Sequence, residues 1–304
     1  MQMKALVTGG SGFLGQYIVN ELQKNCISTV IFDSAQPDKE RIAKYDPAIY
    51  KYIQGDILDF KALKNAMQGC DSIFHTAAIA DVNITRKIPR ETMAVNVVGT
   101  ANCLECARDV GAKRFMMASS VYASGKRGNF YRVSKAAAEE LCKTFFEEFS
   151  LEYTILRYGS LYGREANHWN FMYNVIKSLL TTGEYVYRSS PDAVREYIHI
   201  HDAARETVRI AMDPAYSNKS VLLTGHQRMK MRELFDTIQE ILGDDVKIHY
   251  SPDSRQTHYV RTPYSFDRDV TIRINLTQYI DINEGLLDCL NEVKREMQAH
   301  EKDP

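Results

Sequence analysis

The chain has 304 residues, 44% of them hydrophobic, and its 38 Lys and Arg against 39 Asp and Glu leave a formal charge of −1. That supplies one large core or two smaller ones, and the scattered basic residues argue against nucleic-acid binding through a charged face. The start "MQMKALVTGG" lacks the long apolar region of a signal peptide and no apolar run approaches a membrane span, so a soluble, cytoplasmic chain without membrane association is expected.

Taken in chain order, strand-like runs alternate with helix-period segments: "MKALVT" then "FLGQYIVNELQKN", "STVIFD", "AIYKYIQ" then "LDFKALKNAMQG", "DSIFHTA" then "ETMAVNVVGTANCLECARDV", "KRFMMAS" then "YRVSKAAAEELCKTFFEEF", and "EYTILRY". Repeated strand, helix, strand predicts an α/β fold, a Rossmann-type doubly wound parallel sheet that binds ligands at the carboxyl ends of its strands. After residue 160 the rhythm loosens, which predicts a smaller C-terminal substrate-binding lobe. The expected division is a dinucleotide-binding domain over 1–163 with about 194–225, where "REYIHIHDAA" returns to the sheet and Asp202 caps a helix, and a lobe over 164–193 and 226–304. Six cysteines fall within periodic apolar segments, and Cys103 and Cys106 form a CxxC with no second pair, so reduced core thiols and no metal are expected.

Between the first strand and the first helix stands "TGGSGFLG", with Gly9, Gly12 and Gly15 spaced GxxGxxG. Glycines there permit a tight turn and close approach to a pyrophosphate at a helix amino end. Asp33 ends the second strand, where a carboxylate accepts from both hydroxyls of an adenosine ribose and repels a 2′-phosphate, so NAD is expected rather than NADP. Asp56, after the third strand, either contacts the adenine or caps the next helix. In "HTAA" small residues, Ala77 among them, leave room for the cofactor, and His75 reads as a satisfied core histidine.

Tyr131 and Lys135 stand at i and i+4 at the start of a helix, so their side chains share one face. A phenol with a pKa near 10 needs about 3 units of depression, about 4 kcal/mol, to act as a base at neutral pH. A lysine ammonium and an oxidised nicotinamide are both positive and supply it. Ser120, after the fifth strand, is placed to hydrogen-bond the same substrate oxygen.

These residues resemble the short-chain dehydrogenase/reductase superfamily, and "LRYGSLYGRE" with "REYIHIHDAA" resembles its extended branch, the NAD-dependent epimerase/dehydratase family that acts on nucleotide-activated sugars. The resemblance implies that Gly9, Gly12, Phe13, Leu14 and Gly15 hold the pyrophosphate, Asp33 the ribose, and Asp56 with Ile57 the adenine. It implies Tyr131 as base, Lys135 as its partner and Ser120 as the hydroxyl stabiliser, with Ser119 the alternative in another register. Asn96 supports the site, and Arg195, with Arg255 as a second candidate, meets the diphosphate. It also implies a homodimer through the helices at about 91–110 and 131–149.

Tyr131 follows Ser120 by only eleven residues, which predicts a more open sugar pocket, with Lys126 and Arg127 facing an anionic group or, by preference, solvent. The resemblance places an Asp-Glu pair after the hydroxyl in 4,6-dehydratases, where Val121 and Tyr122 stand here, and decarboxylases need a nearby carboxylate. Reversible hydride transfer remains. The expected activity is a sugar-nucleotide 4-epimerase with tightly held NAD; a 4-dehydrogenase or 4-ketoreductase uses the same residues. A non-catalytic NAD-binding protein is the reading of another class, and the retained Tyr131 and Lys135 speak against it.

Overall fold

The computed structural model describes residues 3–302 except 37, 227, 244, 252–257 and 264–270. "KALVT" forms β1 (Lys4–Thr8), and Ala5, Leu6 and Val7 are fully buried because helices cover both faces of the sheet. The series continues through α1 (Phe13–Lys24), β2 (Ser28–Asp33), α2 (Lys39–Ile42), β3 (Tyr50–Gln54), α3 (Phe60–Met67), β4 (Ser72–His75), α4 (Val82–Lys87) and α5 (Pro89–Met93). A π-helical turn at Ala94–Val98 then leads into α6 (Gly99–Asp109), β5 (Arg114–Ser120), α7 (Asn129–Phe149) and β6 (Glu152–Tyr158). These strands pair in parallel in the order β3-β2-β1-β4-β5-β6, and the direction of travel reverses between β1 and β4. That switch point is where a doubly wound sheet opens a crevice.

The remaining elements are β7 (Ser160–Tyr162), α8 (Phe171–Thr182), β8 (Glu184–Tyr187), β9 (Val194–Arg195), β10 (Tyr197–His199), α9 (Ile200–Met212) and β11 (Lys219–Leu223). After them come β12 (Met229–Lys230), α10 (Met231–Leu242), β13 (Lys247–Tyr250), β14 (Thr271–Arg273) and α11 (Ile282–Lys302). β11 joins the main sheet beside β6 and β14 beside β11, giving eight parallel strands. β14 thus comes from the stretch expected to lie wholly in the lobe.

One face of the sheet buries α1 and α9 through Ile18, Leu22, Ala203 and Val208. The other buries α3, α6 and α7 through Leu63, Leu104 and Ala138, with Cys103 and Cys106 as free buried thiols of α6. A third core joins α8, α10 and α11 through Val175, Leu179, Leu234, Phe235, Leu290 and Val293. Asp202 is not the cap of α9. The chain passes from β10 directly into α9, so His199 takes the cap position and accepts from the His201 amide, while Asp202 falls in the first turn. Its carboxylate instead accepts from the Ile280 amide at 2.8 Å and pairs with Arg205 at 2.8 Å.

Candidate active site

The loop after β1 turns through Gly9 at φ +70°, where an added Cβ would stand 2.6 Å from the Ala77 nitrogen. At Gly15, one turn into the helix, a Cβ would stand 2.1 Å from the Gly9 carbonyl oxygen. Glycine at both positions lets β1, α1 and the end of β4 close on one another. Gly12 occupies the N-cap of α1 with no side-chain capping bond, which leaves first-turn amides open for an anion, and Phe13 and Leu14 follow it half-buried. Asp33 is fixed by the Ser11 amide at 2.8 Å and the Ala35 amide at 2.9 Å, with lone pairs to spare on each oxygen. Tyr52, which sequence reasoning missed, meets the Ser11 hydroxyl at 3.1 Å and donates to the Ala35 carbonyl at 2.6 Å.

Asp56 is exposed and accepts from the Leu58 amide at 2.9 Å, whereas Asp59 caps α3, so the capping alternative for Asp56 falls away. Ile57 is buried against Gly99, where a Cβ would come within 2.5 Å of its Cδ1. Ala77 is half-buried. His75 sits between the Thr8 and Thr100 hydroxyls at 2.8 and 2.9 Å, and burial drives its pKa down to about 3. It is a neutral core histidine.

Ser120 ends β5, and Tyr131 and Lys135 lie buried on the first turns of α7. Ser120 lies close enough to the Tyr131 phenol to favour its ionised form, and the Lys135 ammonium donates to the Ala118 carbonyl at 2.8 Å. Ser119 has another commitment. Its hydroxyl donates to the buried Glu139 carboxylate, which Arg157 grips through Nε at 3.0 Å and a terminal nitrogen at 2.7 Å. Asn96, carried by the π-helical turn, accepts from the Ile79 amide at 2.8 Å and donates to the Ser134 hydroxyl at 3.0 Å. Ser134 in turn donates to the Tyr131 carbonyl, so Asn96 ties the loop after β4 to the turn bearing Tyr131.

Beside these groups lies a cavity of about 490 Å³ whose lining includes Tyr122, Ser160, Tyr187, Arg195 and His258. Arg195 is buried on β9, donates to the Val194 and Tyr259 carbonyls at 2.9 and 2.7 Å, and lies 4.1 Å over the Tyr259 ring. Arg255 lies outside the described residues. The short connection from Ser120 to Tyr131 packs closely on its neighbours. Gly128, at φ +110°, passes so close to Tyr122 that a Cβ would touch the ring at 2.5 Å, and a Cβ on Gly125 would stand 2.9 Å from Pro263. Tyr122 packs against His258 and Tyr259, while Lys126 and Arg127 are exposed outside the cavity lining.

The model of the NAD dependent epimerase/dehydratase family matches residues 5–221. The chain belongs to that family. Among similar proteins, a UDP-glucuronate 4-epimerase of Thermodesulfobacterium geofontis is 24% identical, with 96% of this chain and 97% of that protein covered. A UDP-N-acetyl-alpha-D-glucosaminuronate decarboxylase of Bacillus cytotoxicus is 25% identical over 83% of this chain and 84% of its own. The crystal structure of the Bacillus cereus UDP-glucuronic acid 4-epimerase, in complex with UDP-glucuronic acid and NAD, shares the fold with a TM-score of 0.82 at 20% identity, covering 97% and 100% of the two chains.

As a member of this family the chain is an NAD-dependent enzyme, and the cradle of Gly9, Gly12 and Gly15 with Asp33 beside it fits a dinucleotide. The Tyr131 phenol is pushed up to about 12, because burial outweighs the opposing influence of Ser120. Lys135 is pushed down to about 8 by burial, against the pull of Glu139 and Cys142. The Lys135 ammonium is turned onto the Ala118 carbonyl. Among the described residues no helix is long and apolar enough to cross a membrane.

Proposed function

We propose that the chain is a sugar-nucleotide 4-epimerase whose nucleoside diphosphate sugar lies between the sheet, which holds NAD, and the lobe of α8, α10 and α11. The observation that carries this reading is that Tyr131, with Ser120 near its phenol, packs against Tyr122 of a cavity lined, among the described residues, by Arg195 and no carboxylate. Elimination of water needs an extra acid and base near the hydroxyl; reversible oxidation at C4 needs one proton acceptor. Tyr131 takes the C4 hydroxyl proton, and Ser120 hydrogen-bonds the oxygen as charge develops on it. NAD, when bound, supplies the hydride acceptor and a positive ring close to the phenol. Lys135 adds a second positive charge and orients the ribose. Arg195 holds the diphosphate while the sugar turns to present its other face. The names of the 4-epimerases among the similar proteins point the same way.

The deciding experiment incubates the enzyme with NAD and a panel of sugar nucleotides, following reduced nicotinamide by absorbance and the sugars by chromatography. Epimer formation with no more than one reduced nicotinamide per site is expected. Continuous accumulation of reduced cofactor with a released ketosugar would make the enzyme a dehydrogenase instead.

The same reading pairs two copies through the helices at about 91–110 and 131–149, supported by exposed apolar side chains at Val98, Val133, Phe146 and Phe149. Light scattering at micromolar concentration should give twice the chain mass of 34.8 kDa, and the single-chain mass would exclude the pairing.

A further inference from the structure

The Tyr122 hydroxyl and His258 Nδ1 stand 2.7 Å apart, joining the short connection after β5 to the C-terminal part of the chain. Both residues line the large cavity. The Tyr122 ring packs edge-on against Tyr131 with 6.0 Å between centroids, and against Tyr259 at 5.0 Å. Tyr259 in turn carries the Arg195 guanidinium over its face at 4.1 Å. His258 is thus held in a chain of contacts running from Tyr131 to Arg195.

The direction of the Tyr122–His258 bond follows from accounting for protons. The Tyr122 hydroxyl has no other partner among the described residues, so its proton is satisfied only by donation to Nδ1. Were Nδ1 the protonated nitrogen, two donors would face each other and the half-buried phenol proton would lose its partner, which is the costlier arrangement. The ring is neutral, since burial and the nearby Arg195 bring its pKa down to about 4, against a smaller opposing pull from Asp81. A neutral ring that accepts at Nδ1 carries its proton on Nε2. Nε2 has no hydrogen-bond partner among the described residues, and His258 lines the cavity.

We propose that His258 is a substrate-binding residue whose Nε2–H donates to a hydroxyl of the sugar, and that Tyr122 is the positioning residue that fixes its tautomer. The assignment rests on the reading of the substrate as a sugar nucleotide. It gives the short connection from Ser120 to Tyr131 a consequence: with few residues there to reach over the sugar, the contact is supplied from the other end of the chain through His258.

Calorimetry on the NAD-loaded enzyme tests it, with UDP-, GDP-, dTDP- and CDP-sugars each compared with its own nucleoside diphosphate. H258F, which keeps an aromatic ring against Tyr122, should weaken the preferred sugar nucleotide about tenfold and leave its nucleoside diphosphate unchanged. Y122F should weaken the sugar nucleotide about threefold, from partial loss of the same bond. Nitrogen-15 NMR of histidine-labelled wild-type protein should show His258 unprotonated at Nδ1, and Y122F should show a mixture of tautomers. Equal weakening of both ligands in H258F, no weakening of either, or a wild-type ring protonated at Nδ1 would overturn the proposal. If wild-type protein binds NAD but none of the sugar nucleotides, the substrate reading itself fails and this assignment with it.

Discussion

Y131F is expected to lower kcat/KM by about 10³-fold or more while leaving NAD affinity within about threefold, because positioned proton transfer contributes roughly 10² to 10⁴. The substitution removes one oxygen and little else. The ring keeps its edge-on contact with Tyr122, so little stability should be lost. Activity should therefore fall far more than the melting temperature, which steady-state kinetics and thermal unfolding on one preparation would establish. The acid side of the kcat/KM profile gives a second reading. Burial holds the free phenol near 12, and positive charge nearby favours phenolate, so the limb governed by Tyr131 should lie at lower pH in the NAD-loaded enzyme than that value implies. A Y131F enzyme with unchanged kcat would remove Tyr131 as the base.

Much of this site was legible in the sequence because its parts are local. Gly9, Gly12 and Gly15 lie within one turn and one helix start, and Tyr131 and Lys135 within a single helical turn, so spacing alone fixes their relation. Asp33 was legible as the end of an apolar run. The unread parts depend on distant contacts. Residues 122 and 258 are 136 positions apart, and no local pattern marks them as partners. The commitment of Ser119 depends on Glu139 and Arg157, which lie on different elements, and β14 is too short to announce itself as a strand. Asp202 had the right residue type for a cap; what displaced it was the abrupt passage from β10 to α9.

The largest loss of stability should come from the buried pair beneath the site. Glu139 and Arg157 expose only 4% and 3% of their side chains, and their two bonds span α7 and β6. R157M removes the guanidinium and leaves the carboxylate with the Ser119 hydroxyl, while the Lys135 ammonium one turn away is committed to Ala118. Removing one partner of a buried pair costs about 3 to 5 kcal/mol, and urea unfolding at neutral pH should register that loss. Turnover should fall as well, since Glu139 lies one turn from Lys135 on the helix that sets Tyr131 against Ser120. Replacing both partners, R157M with E139L, should recover most of the stability, because the cost lies in the unpaired charge and not in the absence of the bond. A double variant no more stable than R157M would place the loss in the packing of the arginine stem instead, and Glu139 would then tolerate removal of its partner without a charge penalty.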